Sequence, residues 1–108
     1  MQDNGVVAVI RASSKTQLLD TALALSNGGI KALEITMTSP NALDVTAEIS
    51  NSIQGDAVLG MGSVLDAETA RMAILSGAQF IVSPILNYDI IEVCRRYSIL
   101  CIIGAFTP

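Results

Sequence analysis

Apolar residues in this chain concentrate in short stretches at positions 6–10, 32–36, 57–60, 79–83 and 99–103, most of them continuous apolar runs, with Glu34 set inside the second. Runs of this kind suit strands covered on both faces of a parallel sheet, where neither side of the pleat meets water. Between them the apolar spacing becomes helical and the ends are marked. Ser14 and Gln17 form a capping box ahead of Leu18, Leu19, Ala22 and Leu23. Gly28 and Gly29 then stop that helix. Ser39 and Pro40 suit the N-cap and first turn of a helix carrying Leu43, Val45, Ala47 and Ile49. Asp66 is placed to cap a helix with Ala70, Ala73 and Ile74, which Gly77 ends, and Asn87 to cap one with Ile90, Ile91, Cys94 and Tyr97. The pattern reads β-α-β-α-β-α-β-α-β. A weak internal echo supports it: LSNGGIKALEIT and LSGAQFIVS both pass from a helix end through glycine into a strand.

Two α/β architectures accommodate this order. A five-stranded open sheet of the flavodoxin type has the right number of strands. A (β/α)8 barrel needs roughly twice the length, so the chain would supply its first half. Length by itself favours the open sheet. No linker or low-complexity stretch interrupts residues 1–108, which are read as one domain.

Composition narrows the chemistry. The 108 residues are 51% apolar, with a net charge of −4 and six scattered basic residues, so nothing marks a nucleic-acid surface. No apolar run approaches the roughly 18 residues of a membrane span. The amino terminus has no signal-peptide pattern, so a cytoplasmic location is expected. Cys94 and Cys101 read as small buried apolar side chains. There is no histidine, which removes Ser–His–Asp and Cys–His schemes and the usual histidine-rich zinc sites. Proton transfer then falls to Glu, Asp, Lys, Tyr or Cys, or to a ligand. No metal or cofactor is called for.

Polar residues gather where the apolar runs end. Arg11 follows the first, Glu34 and Thr36 close the second, and Gly62 and Ser63 follow the third. Ser83 and Pro84 end the fourth, and Thr107 and Pro108 follow the fifth. In parallel α/β folds, ligands sit outside the carboxyl ends of the strands. With Leu33 and Ile35 facing helices, strand alternation turns Ala32, Glu34 and Thr36 the other way. In a barrel, Arg11 and Glu34 would both point at the centre. Simpler readings compete. A buried structural ion pair between Glu34 and Arg11 is the lesser of them. Gly60 and Gly62 suit close packing better than phosphate binding, since GxGxxG fails at Leu65. Ser83-Pro84 serves as a strand stop, and Lys15 and Lys31 read as solvated charges.

Taken in order, VVAVIRA, GGIKALEITMTSP, GMGSVLDAETA, GAQFIVSPILN and IIGAFTP resemble successive segments of the KDPG/KHG aldolases. These class I aldolases cleave 2-keto-3-deoxy-6-phosphogluconate or 4-hydroxy-2-oxoglutarate to pyruvate and an aldehyde. The resemblance covers residues 6–108. It implies a (β/α)8 barrel in place of the open sheet, with the chain forming five strands and four helices of a truncated barrel. It also implies a homo-oligomer, a trimer in the family. In that family a lysine on the sixth strand forms a Schiff base with the keto acid. A glutamate in an L-E-x-T segment shuttles protons, and Glu34 in LEIT matches it. Apolar neighbours and partial burial would lift such a carboxyl toward neutrality, as an acid/base needs. By the same likeness, Ser63 stands where a substrate-binding threonine is usual, and Pro84 matches a proline lining the site. Arg11 matches an arginine suited to a substrate carboxylate or phosphate. Thr36, the threonine of LEIT, joins the substrate-binding set around the pyruvate moiety.

Departures from the family pattern are specific. Thr38 stands where some members carry arginine, Met61 where a small residue is usual, and Ile85 where glycine or histidine is common. Ile103 replaces a proline before Gly104. The sixth strand and its lysine lie outside the 108 residues, so this chain alone is expected to be inactive. The alternative is a non-catalytic module that completes a barrel by oligomerisation.

Overall fold

The structure is a computed structural model, and it describes residues 8–10, 14–38, 41–52 and 57–103. Within these, nine elements alternate: β1 (Ala8–Ile10), α1 (Lys15–Asn27), β2 (Ala32–Thr36), α2 (Ala42–Ser52), β3 (Val58–Gly62), α3 (Ala67–Leu75), β4 (Phe80–Ser83), α4 (Tyr88–Arg96) and β5 (Leu100–Ile103). Arg11, Ser39, Pro40 and residues 104–108, which carry sequence expectations, lie outside the described residues.

The expected caps form where they bear on described residues. The Ser14 hydroxyl accepts from Gln17 N at 3.2 Å, Asp66 Oδ1 from Thr69 N at 2.7 Å, and Asn87 Oδ1 from Asp89 N at 2.8 Å. The Thr69 amide holds the Asp66 carboxyl below the usual carboxylate range. Helix ends explain the repeated glycines. Ile30 N reaches back to Leu25 O at 3.1 Å and Ala78 N to Ala73 O at 3.0 Å, with Gly29 at φ 98° and Gly77 at φ 115°. That closure needs a left-handed residue after the helix, which glycine adopts without steric cost. Helix α4 closes in the same way, Ile99 N to Cys94 O at 2.8 Å, although Ser98 occupies the left-handed position at φ 57°.

All five strands are parallel and lie in the order β1-β2-β3-β4-β5. This order decides between the two architectures. A doubly wound sheet reverses its strand order at a switch point and carries helices on both faces. Here each βα unit steps to the next strand in one direction, so the helices collect on one face. Leu18 and Ala22 of α1, Val45 and Ile49 of α2, Ala70 and Ala73 of α3, and Ile90 and Cys94 of α4 share one core with sheet residues Ile10, Leu33, Ile35, Leu59, Met61 and Ile81. The architecture is that of consecutive βα units of a (β/α)8 barrel, and the open-sheet alternative is excluded.

The other face of the sheet is the one a barrel turns inward. Strand register places Val9, Glu34, Gly60, Phe80 and Leu100 in a single row across all five strands. Phe80 is buried yet stands apart from the helix-packed core, as its side of the sheet requires. At the two ends of the row, Val9 is 52% and Leu100 55% exposed.

Candidate functional site

Glu34 sits where alternation places it, between Leu33 and Ile35, both buried against the helices. Its own side chain is partly buried and inward. On one side it meets β3. That strand extends to Gly62, two residues beyond the expected end, and pairs with β2 throughout, Thr36 opposite Gly62. Met37 N continues the ladder to Gly62 O at 2.9 Å. Gly60 and Gly62 therefore share the inward face. A Cβ added at Gly60 would fall on the ring of Phe80. One added at Gly62 would fall on Glu34 Oε2, 2.6 Å from Cδ. The two glycines give up their volume to a ring on one side and a carboxylate on the other. The close-packing reading of this pair holds, and it bears directly on the candidate acid.

Thr36 is buried, and its hydroxyl lies 3.2 Å from that of Thr38. The residue standing in place of an arginine thus contacts another site candidate. Ser63 follows Gly62 at φ 59°, a left-handed conformation that costs a residue with a Cβ about 1 kcal/mol. Val64 N then donates to Val82 O at 3.2 Å, tying the turn to β4. Pro84 is partly buried just beyond β4. The Ser83 hydroxyl donates to Ile85 O at 3.1 Å, closing the turn that ends the strand. Thr36, Ser63 and Pro84 thus lie at the carboxyl ends of three adjacent strands, and Glu34, in the middle of β2, extends its carboxylate over Gly62 at that end. Arg11, the fifth candidate, lies outside the described residues.

Among the described residues, Lys15 is paired, Lys31 is remote from the site and Cys94 is buried. Lys15 Nζ lies 2.7 Å from Glu48 Oε1, an exposed pair between α1 and α2. The hydrogen bond and charge of Glu48 push the amine above its ordinary pKa, which favours the protonated, non-nucleophilic form. Lys31 is exposed and precedes β2, at the opposite end of the sheet from Ser63 and Pro84. Burial, with a smaller contribution from Cys101, pushes the Cys94 thiol up to about 12, so it holds its proton at neutral pH. Among the described residues no three His, Cys, Asp or Glu side chains cluster to hold a metal ion. Among the same residues, no helix is long and apolar enough to cross a membrane. A pocket of about 340 Å³ opens beside the site, lined by Met37, Asn41, Ala42, Leu43 and Asp44. Glu34, Thr36, Ser63 and Pro84 are not among these residues.

Sequence reading missed Phe80 as a partner of the site. The available signal was alternation: Phe80 is the large residue on the same face as two glycines of the neighbouring strand.

Comparison with known proteins bears on the family and the fold. A family model described as KDPG and KHG aldolase matches residues 1–108. The 2-dehydro-3-deoxy-phosphogluconate aldolase of Treponema pallidum (strain Nichols) is 33% identical, over 92% of this chain and 47% of its own length. The KHG/KDPG aldolase of Escherichia coli (strain K12) is 30% identical, over 94% and 47%. Among solved structures, the KDPG aldolase of Legionella pneumophila, with pyruvate captured as a covalent carbinolamine, superposes with a TM-score of 0.82 at 27% identity. That match covers 94% of this chain and 48% of the other. The chain spans about half the length of the curated relatives it matches.

Proposed function

The chain belongs to the KDPG and KHG aldolase family, and from that membership we propose that it carries the proton-transfer half of a Schiff-base aldolase. The reaction is retro-aldol cleavage of 2-keto-3-deoxy-6-phosphogluconate or 4-hydroxy-2-oxoglutarate to pyruvate and an aldehyde. The observation that carries the reading is Glu34: a partly buried, inward carboxylate in the middle of β2 that lies over Gly62, the last residue of β3. In the proposed cycle the keto carbon is bound to a lysine amine as a protonated imine. Glu34 takes the proton from the C4 hydroxyl. The C3–C4 bond breaks, its electrons pass to the imine to give an enamine, and the aldehyde leaves. Glu34 then returns the proton to C3, and water releases pyruvate from the imine. Arg11, Thr36, Ser63 and Pro84 are assigned to holding the keto acid. The one domain formed by residues 1–108 is in this reading an incomplete barrel. The reading also proposes a cytoplasmic reaction, since 2-keto-3-deoxy-6-phosphogluconate and 4-hydroxy-2-oxoglutarate are both multiply charged anions that do not cross a bilayer unaided.

The imine nitrogen is assigned to a lysine outside the 108 residues, because neither lysine within them suits the role. Lys15 is paired with Glu48, and Lys31 stands at the far end of the sheet. The chain treated with pyruvate and borohydride is expected to gain no adduct by intact-mass spectrometry. A reduced pyruvyl adduct mapped to Lys15 or Lys31 would overturn this assignment.

A second reading, an interaction module that completes a barrel by oligomerisation, is favoured by the half-exposed Val9 and Leu100 at the ends of the inward row. Among the described residues, β1 and β5 each pair on one side only, and such edges recruit further strands. The chain is then expected to elute as an oligomer in size-exclusion chromatography with light scattering. A concentration-independent monomer would count against it.

A further inference from the structure

We propose that the Gly60-Met61-Gly62 stretch of β3 aims the Glu34 carboxylate, with Gly62 as the positioning residue; the inference rests on the acid/base reading of Glu34. Residues directly opposite in adjacent strands lie close enough to compete for the same space. Glu34 is opposite Gly60, so the glycine there would ordinarily offer its side chain the nearest room. That room is already taken, because the Phe80 ring occupies the position of a Gly60 Cβ. Phe80 is 1% exposed and walled in, and it does not yield the space readily. The next opening along the inward face of β3 is one pleat period further on, at Gly62, and there the carboxylate lies.

The direction of this displacement matters. Gly62 is the last residue of β3 and sits opposite Thr36, the last residue of β2. The filled position at Gly60 and the vacant one at Gly62 together send the carboxylate toward the carboxyl ends of the strands, beside Ser63. A single methyl group at residue 62 would take the place of Oε2 and divert the acid. A base must come within about 2.6–3.2 Å of the proton it moves, so a diversion of one bond length matters.

The test is a double-mutant cycle in the 108-residue chain, read in two ways. Gly62→Ala is made with Glu34 present and in a Glu34→Ala background, and thermal unfolding is followed by circular dichroism. With Glu34 present, Gly62→Ala is expected to lower the midpoint by roughly 5–10 °C, and in the Glu34→Ala background by much less. In parallel, the Glu34 side-chain carboxyl carbon is titrated by 13C NMR. Its midpoint is expected to move in Gly62→Ala, because the carboxylate has left its site. Equal loss in both backgrounds, or an unmoved Glu34 titration, would overturn the proposal. If Gly62→Ala does not fold, recovery of folding in the Glu34→Ala background supports the contact, and no recovery overturns it. Neither readout involves turnover. A coupled loss here alongside full activity of a Glu34→Gln enzyme would therefore break the acid/base reading and leave the aiming contact standing.

Discussion

Replacing Glu34 with glutamine is expected to lower retro-aldol turnover by about 10²–10⁴-fold, the usual worth of a positioned general acid/base. The assay needs a closed barrel, obtained by joining these 108 residues to the second half of an active curated relative. Glutamine keeps the length and shape of the side chain, so the position over Gly62 stays filled and the fold is not the variable. What is lost is a group that can accept a proton from the C4 hydroxyl and return it to C3. The absence of histidine from the 108 residues makes the loss harder to cover, since no imidazole here can stand in. Buried Cys94, with its thiol pushed up to about 12, is no substitute base. The expected signature is a fall in kcat with KM little changed, because binding contacts remain. Turnover within a few-fold of the parent chimera would remove Glu34 from the proton-transfer step.

Phe80→Ala is expected to cost about 3–5 kcal/mol of stability, the range for deleting a buried aromatic ring. Phe80 is the largest fully buried side chain among the described residues, and its ring lies over a residue with no side chain. Truncation leaves Gly60 facing alanine, two small residues with nothing between them to fill the gap. A typical domain is stable by only about 5–15 kcal/mol, so the variant loses much of its margin. Urea unfolding measures the difference, and Phe80→Leu serves as the partial case with a smaller loss. A cost for Phe80→Ala below about 1 kcal/mol would show that the ring does not support the inward face as described.

Element type was legible in this chain because local signals agree with one another. The caps at Ser14, Asp66 and Asn87 form as their side-chain chemistry requires. The echo around Gly29 and Gly77 is a shared left-handed helix closure. Helix α4 carried no such stop signal, because Ser98 adopts the left-handed position that glycine takes elsewhere. The end of β3 was misread for a related reason. Glycine is a poor strand former in isolation, yet Gly62 stays paired because its missing side chain is what the opposite strand needs.

By itself the sequence determined the alternation of strands and helices, the inward direction of Glu34 and, through its motifs, the family. The first two follow from spacing and residue identity along single segments, and the family from five segments taken in order. Strand order was beyond the βα pattern, because an open sheet and a barrel share it and differ only in which neighbour each strand chooses; the family resemblance pointed to the barrel, and the strand order agrees with it. The packing of Phe80 over Gly60 and of Glu34 over Gly62 was likewise a tertiary decision. It depends on register between strands some 20 residues or more apart in sequence, and register is set by the packing of whole faces rather than by local preference.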